Sequence, residues 1–187
     1  MDVKDLPEFV QKLERNEARL FPQTRLALEL MMLTFVRTGE LIKAKWSEFD
    51  FDAKVWIIPA ARMKMRKEHI VPLSSRSIEI LQELKAMHVN REYVFPSMKN
   101  PRSHMRNNAM LMALDRMGYR GIHTGHGFRA LAMSTIKEKL GYSHEVVDRQ
   151  LAHAPKSQVD KAYDRAKYLD QRTKMMQDWA DYLASIK

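Results

Sequence analysis

The hydrophobic pattern of this chain changes period once, between residues 54 and 73, and that change constrains the fold most. Two runs there are rich in β-branched and aromatic residues: residues 55–59 (Val-Trp-Ile-Ile-Pro) and residues 69–73 (His-Ile-Val-Pro-Leu). A basic segment, residues 62–67, connects them. This arrangement predicts a β-hairpin with a basic tip. Because the rest of the chain has helical periodicity, we expect an α+β fold that is mainly α-helical, with one small antiparallel hairpin or sheet.

Apolar residues recur at helical spacing on both sides of this hairpin. Residues 26–36 are strongly apolar and predict a buried helix, after which Thr38 is placed to cap the next helix. A helix that Ser74 or Ser75 caps should extend to about Met87. Its apolar stripe is Ile78, Leu81 and Leu84. The other predicted helices are an amphipathic one through Leu6, Phe9, Val10 and Leu13, residues 103–117, one from His126 onward, residues 143–151, one around Ala162, and residues 168–186.

The charge balance favours a polyanionic partner. The 187 residues include 32 lysines and arginines against 23 acidic residues, a net charge of +9 with a pI near 9.7. A protein with this positive charge attracts nucleic acid through phosphate neutralisation and counterion release. The chain has no cysteine, which excludes disulfides, thiolate metal sites and cysteine nucleophiles. No apolar run reaches the roughly 20 residues of a membrane span, and we expect a cytoplasmic protein.

Two arginines are candidates for binding a phosphate group, because guanidinium stays charged and contacts phosphate oxygens in a bidentate manner. Arg37 ends the apolar segment and precedes Thr-Gly-Glu. A charged residue at the end of a buried helix is unusual unless it has a function. Arg129 lies three residues after His126, so both side chains project from one face of a helix. The predicted helix start at His126 also favours an anion.

A tyrosine is the candidate nucleophile, but its phenol has a pKa near 10 and needs cationic neighbours to react at neutral pH. Tyr163 lies between Lys161 and Arg165, ten residues after His153, and Tyr168 is a nearby rival. A metal-dependent alternative would use His123, yet no carboxylate or third histidine lies at ligand spacing. We therefore expect no metal and no cofactor.

The order of these fragments resembles the catalytic domain of the tyrosine recombinases, the phage-integrase family, and most of all the integrases of prophages and pathogenicity islands. The resemblance covers roughly residues 20–170. It rests on four motifs: Arg37-Thr38-Gly39-Glu40-Leu41, Val71-Pro72-Leu73-Ser74, His126-Gly127-Phe128-Arg129 and Leu151-Ala152-His153. Ala152 stands where the family usually has glycine.

The resemblance implies a role for each candidate. Tyr163 attacks a scissile phosphate of duplex DNA and forms a 3′-phosphotyrosine, and it is preferred to Tyr168 by its distance from the Leu151-Ala152-His153 motif. The other implied roles are transition-state stabilisation by Arg37, Arg129 and His153, proton acceptance by His126, proton donation to the leaving oxygen by Lys64, support of Arg37 by Glu40, and DNA contacts by Arg62, Arg66 and Lys67. The alternatives are a type IB topoisomerase, a non-catalytic DNA-binding module and a metal-dependent nuclease.

The resemblance also implies an organisation and partners. Residues 1–168 form the catalytic domain, and residues 169–187 form an amphipathic helix that packs on its own domain or on a neighbouring protomer. On this resemblance, we expect the arm-binding and core-binding domains of full-length integrases to lie outside the 187 residues. The implied partners are double-stranded attachment sites, a homo-oligomer that is a tetramer on DNA (with a monomer as the alternative for the isolated domain), a host DNA-bending protein and an excisionase. The implied location is the bacterial nucleoid, with no membrane.

Overall fold

The computed structural model describes residues 3–153 and 168–186, and it confirms a mainly helical α+β fold. That part of the chain has eight helices and one small sheet. The helices are α1 (Leu6–Arg15), α2 (Pro22–Thr34), α3 (Thr38–Ile42), α4 (Ser75–Met87), α5 (Asn108–Arg116), α6 (Gly127–Leu140), α7 (His144–Gln150) and α8 (Leu169–Ser185). Short 3-10 turns at Val3–Asp5, Trp46–Glu48 and Ala60–Arg62 complete the helical content.

The sheet has three antiparallel strands in the order β1 (Phe49–Asp50), β2 (Val55–Ile58) and β3 (His69–Pro72). The predicted hairpin is β2 with β3, in which Trp56 pairs with Val71. The sequence did not predict β1, because two residues are too short a run to show a period. Trp56 is fully buried and stacks on Phe49 at 5.1 Å, so this edge strand contributes to the core.

Helix α2 lies at the centre of the domain and contacts five other helices, α3, α4, α5, α6 and α8. Pro22 begins it, a position where the missing N–H costs nothing. Phe35 ends it in the left-handed conformation, with φ of 58°, and donates its N–H to Met31 O at 3.0 Å. A helix that is apolar over most of its surface has to be surrounded. The buried apolar residues of α2 are Leu26, Ala27, Leu28, Leu30, Met31, Met32 and Leu33.

Two local predictions were wrong in detail. Arg37 rather than Thr38 is the N-cap of α3. Helix α5 begins at Asn108 instead of residue 103, because Pro96 and His104 form an isolated β-bridge that keeps the preceding chain extended. In α4 the predicted stripe is confirmed, since Leu81 and Leu84 are buried and Ile78 packs against the core, and the fully buried Ile80 adds to it. The predicted cap of α4 is confirmed, since the Ser74 hydroxyl accepts a hydrogen bond from Ser77 N.

Helix α8 packs on its own domain in this structure. Its Trp179 is buried against Phe35, with ring centroids 5.5 Å apart, and donates its indole N–H to Met32 O at 3.0 Å. Met175, Met176 and Leu183 join the same core. No helix among the described residues is long and apolar enough to cross a membrane.

Candidate active site

Arg37 is held in place by Glu40 at the start of α3. One carboxylate oxygen of Glu40 accepts from the backbone N–H of Arg37 at 2.8 Å, and the other accepts from Arg37 Nη1 at 2.7 Å. Glu40 is buried, while the Arg37 side chain keeps 30% of its surface exposed. The carboxylate thus caps the helix and orients the guanidinium with the same two oxygens. Within the described part of the chain, the remaining side-chain N–H groups of Arg37 have no hydrogen-bond partner and are available to a ligand.

Arg129 lies in the first turn of α6 and is buried. Its Nη1 donates to the backbone carbonyl of Phe35, and its Nη2 donates to that of Leu151. Burial, together with the positive charge of Arg37, lowers the pKa of Arg129 to about 10, while Glu40 opposes the shift. The guanidinium is therefore still charged at neutral pH. Two carbonyls take one N–H each, which leaves three of its five donors.

Close backbone packing brings the two arginine motifs together. A Cβ added to Gly125, just before α6, would lie 2.5 Å from Thr38 Oγ1 and 3.2 Å from Met31 Cε. Only glycine allows the chain to approach α3 this closely. The end of α2, the start of α3, the start of α6 and the end of α7 consequently meet at one place, with Arg37 and Arg129 between them.

His126 is the N-cap residue of α6 and its side chain is exposed. The ring of His123 packs against the start of α6. It lies edge-on against Phe128, with ring centroids 4.3 Å apart. A Cβ on Gly127 would lie 2.6 Å from that ring. Burial lowers the pKa of His123 to about 4, so this histidine is neutral and acts in packing. Within residues 3–153 and 168–186, no group of three His, Cys, Asp or Glu side chains could hold a metal ion.

His153 follows α7 and is oriented by Asp148. Its Nδ1 donates to Asp148 Oδ1 at 2.9 Å, and the other carboxylate oxygen lies 2.9 Å from Nε2 of His144. Between Leu151 and His153, Ala152 has a φ of 50°. This left-handed conformation explains why the related motif has glycine there, since a Cβ is strained in that region.

Lys64 lies in the loop between β2 and β3, residues 59–68, and its side chain is exposed. Arg66 and Lys67 are exposed as well, as a DNA contact requires, and the contact itself stays a prediction. Arg62 differs from them, because it pairs with Glu48 and its Nη1 donates to Glu40 O at 3.0 Å. The structure gives no contact between Lys64 and either arginine of the candidate site.

Sequence reasoning missed a buried polar network behind the two arginines. Gln150 donates to Thr34 O at 3.1 Å and accepts from Arg172 Nε at 3.1 Å. His69 bonds Gln150 O through Nε2 at 3.0 Å. Burial, with Arg172 contributing, lowers the pKa of His69 to about 3, so its ring is neutral. The position of Gln150, one residue before the Leu151-Ala152-His153 motif, was the available signal.

Tyr163, the predicted nucleophile, lies outside the described residues, as does the helix predicted around Ala162. The rival Tyr168 is described, half-buried at the N-cap of α8 and packed against the core. The structure therefore brings together Arg37, Glu40 and Arg129, with His153 linked to them through Leu151.

Proteins of known family have sequences similar to that of this chain. Residues 1–169 match the sequence model of the phage integrase family. Prophage integrase IntA of Escherichia coli (strain K12) is 39% identical over 176 residues, which is 94% of this chain and 42% of that protein. The integrase of Enterobacteria phage P4 is 40% identical over 192 residues, which is 95% of this chain and 43% of that protein. The chain thus spans less than half the length of these relatives.

Solved structures share the fold at low sequence identity. The integrase from mycobacterium phage Brujita gives a TM-score of 0.64 at 18% identity and covers 89% of this chain and 57% of that one. The XerA recombinase gives a TM-score of 0.62 at 16% identity, with 81% and 55% covered. These likenesses bear on the fold, and the identity of the site residues rests on the contacts described above.

Proposed function

The chain belongs to the phage integrase family, and on that premise we propose that it is the catalytic part of a site-specific DNA recombinase. The observation that carries the proposal is the arrangement of Arg37 and Arg129. Each guanidinium is fixed by acceptors of the protein and keeps further donors for a ligand. Two such cations side by side suit the charge that develops on phosphate oxygens during transfer.

The proposed reaction begins with attack of the Tyr163 hydroxyl oxygen on the scissile phosphorus. The bond from phosphorus to the 5′-oxygen breaks, and the DNA 3′ end becomes joined to the tyrosine. His126 accepts the phenol proton, Lys64 gives a proton to the departing 5′-oxygen, and a 5′-hydroxyl is released. The 5′-hydroxyl of a partner duplex then attacks the phosphotyrosine and regenerates the tyrosine. Each step exchanges one phosphoester for another, so no ATP is consumed.

His153 completes the proposed phosphate site. Its Nδ1 is bonded to Asp148, so Nε2 is the nitrogen that faces a ligand. With Arg37 and Arg129 it would stabilise the phosphate oxygens, while Glu40 acts only by orienting Arg37. The net charge of +9 supports binding of duplex DNA, to which Arg66 and Lys67 contribute from the exposed loop.

The biological setting follows from the same proposal. The reaction would integrate or excise a prophage or another mobile element at attachment sites, in the bacterial nucleoid. A tetramer on DNA, with a host DNA-bending protein and an excisionase, is the assembly we infer.

A covalent-trapping experiment with substrates of randomised sequence tests the function, so the attachment site need not be identified first. The chain is incubated with a pool of nicked duplexes of this kind, denatured in SDS, and the DNA that stays linked to protein is sequenced. We expect an adduct that forms in the presence of EDTA. It should be lost in Tyr163→Phe and kept in the matched control Tyr168→Phe, because only Tyr163 is the proposed nucleophile.

Other outcomes identify the competing functions. An adduct that persists in Tyr163→Phe and disappears in Tyr168→Phe assigns the nucleophile to the rival tyrosine. DNA binding without any adduct favours a non-catalytic module, and cleavage that EDTA abolishes favours a metal-dependent nuclease. Relaxation of supercoiled plasmid with no strand exchange between two duplexes favours a topoisomerase.

A further inference from the structure

The loop that carries Lys64 is anchored at its N-terminal side by two residues. Met63 is buried in the core, and Arg62 pairs with Glu48. The following residues, 64–68, are all exposed. Lys64 is thus the first exposed residue after the anchor, so a displacement of Arg62 or Met63 is passed directly to it.

Arg62 connects this loop to two other elements. Its Nη2 donates to Glu48 Oε2, in the 3-10 turn before β1, and its Nη1 donates to the carbonyl of Glu40 at 3.0 Å. The indole N–H of Trp56 donates to the same Glu48 oxygen at 2.9 Å. The side chains of Arg62 and Glu48 are only 16% and 8% exposed, so water does not compete strongly for this pair.

A buried ion pair of this kind contributes little net stability, because the loss of hydration offsets the attraction. Its consequence is geometric, since a planar guanidinium with two fixed acceptors has one orientation. One of these acceptors belongs to Glu40, the residue that also holds Arg37. Arg62 therefore fixes the base of the Lys64 loop relative to the helix that presents Arg37.

We propose that Arg62 and Glu48 are positioning residues for Lys64, which set where the general acid meets the leaving 5′-oxygen. This inference rests on the proposed function and extends it to two residues outside the phosphate site. It also replaces the direct DNA contact expected of Arg62 with a role inside the protein. Proton donation depends steeply on geometry, because the donor has to lie within hydrogen-bond reach of the leaving oxygen.

A substrate that needs no general acid separates this role from a merely structural one. We would use a nicked duplex recovered from the randomised pool, made with either oxygen or sulfur at the 5′-bridging position of the scissile phosphate. A thiol has a pKa of about 8.5, so the thiolate leaves without a proton. Arg62→Met should slow adduct formation on the oxygen substrate by about 10- to 100-fold and leave the sulfur substrate nearly unaffected.

Three control variants show what rates are expected on the oxygen and sulfur substrates. Lys64→Ala should show the same rescue by sulfur, and Arg129→Lys should be slow on both substrates because it alters phosphate binding. Arg76→Met removes a comparable ion pair, that of Arg76 with Glu29, on α4, and should be normal on both. A folded Arg62→Met variant that is equally slow on both substrates, or normal on both, overturns the inference.

Failure of the inference is distinguishable from failure of the function. If the unsubstituted chain forms no adduct, the proposed function fails. If Lys64→Ala is not rescued by sulfur, the assignment of Lys64 fails and the inference fails with it. If Arg62→Met does not fold, Glu48→Met removes the oxygen that accepts from Arg62 and Trp56 and must give the same rescue.

Hydrogen exchange adds a measurement that does not depend on DNA. Loss of the anchor should speed exchange of the backbone amide of Arg66, which is bonded to Met63 O at 3.0 Å, and leave α6 unchanged. Unchanged exchange in the loop of Arg62→Met contradicts the anchoring role.

Discussion

At the scale of single residues, Arg37 and Arg129 show how one side chain is adapted to two environments. Arg37 is partly exposed and compensated by the carboxylate of Glu40. Arg129 is buried and compensated by two backbone carbonyls, which are dipoles rather than charges. A lysine could satisfy neither geometry, because its ammonium lacks the planar fork. Arg129 thus keeps a net positive charge inside the protein, where a phosphate would be its counterion.

Asp148 is the residue on which the orientation of His153 depends. Both of its carboxylate oxygens are occupied, one by His153 and one by His144. In Asp148→Asn, two histidines compete for the single acceptor oxygen of the amide, so His153 is no longer held in one orientation. We expect the rate of adduct formation to fall by about 10- to 100-fold with unchanged DNA affinity, measured by single-turnover trapping and filter binding.

His144→Ala is the matched control for this prediction. It removes the other partner of Asp148 and leaves the bond to His153, so most of the activity should remain. An Asp148→Asn variant that cleaves at the normal rate, or one that loses DNA binding in step with its rate, contradicts the positioning role of the carboxylate.

At the scale of elements, the sequence predicted helices and strands well and their ends less well. The periodicity of Leu6, Phe9, Val10 and Leu13 identified α1 correctly, because a helix that buries one face carries apolar residues at intervals of three and four. The start of α5 was misplaced because the bridge between Pro96 and His104 joins residues that sequence spacing does not relate.

Sequence analysis could nominate only those site residues whose side chains themselves have the required chemistry. Arg37 and Arg129 could be named from sequence, since guanidinium in such contexts is uncommon. The partners that hold Arg129 could not, because a backbone carbonyl has no sequence signature. The positioning roles that we propose for Asp148 and Arg62 were not predicted for a similar reason: a single charged residue on a helix or loop is ordinarily a solvated surface group.

The start of α6 depends on the fit between Gly127 and the ring of His123. In Gly127→Ala, the new Cβ would lie 2.6 Å from that ring, and the resulting shift should cost about 1–3 kcal/mol of unfolding free energy. His123→Ala removes the obstacle. We therefore expect Gly127→Ala to cost less in the His123→Ala background, as measured by urea unfolding of the four proteins.

Gly39 provides the control for this double-mutant cycle of Gly127 and His123. It lies in α3, and a Cβ there would meet no atom within 4 Å. Gly39→Ala should be neutral or raise the unfolding free energy by about 0.5–1 kcal/mol. Equal costs of Gly127→Ala in the two backgrounds would show that the ring is not what constrains the helix start.

At the scale of the whole molecule, the C-terminal end of α2 joins the core to the candidate site. The last carbonyls of a helix lack partners within it. Here three later helices supply them: Arg129 of α6 bonds Phe35 O, Gln150 of α7 bonds Thr34 O, and Trp179 of α8 bonds Met32 O. The negative end of the helix dipole also favours the buried charge of Arg129. The same contacts that fold the domain therefore place its cations.

The contacts of α8 lead to a prediction about assembly. Because Trp179 is buried against its own domain, Trp179→Ala should lower the unfolding free energy by about 3–5 kcal/mol. The melting temperature of the unsubstituted chain and of the variant should not change over a roughly hundredfold range of protein concentration, since no partner copy is needed for this burial. Thermal melts across that range, with sedimentation velocity at both ends, make the measurement.

Packing of α8 on a neighbouring protomer gives the opposite result. Mass action would then raise the melting temperature with concentration, and Trp179→Ala would abolish that dependence and yield monomers. Tyr182→Ala is the control on the same helix, because Tyr182 is only partly buried and should cost less in either arrangement. If the concentration dependence appears only when a DNA duplex is added, the helix packs on its own domain in free protein and exchanges between protomers during assembly on DNA.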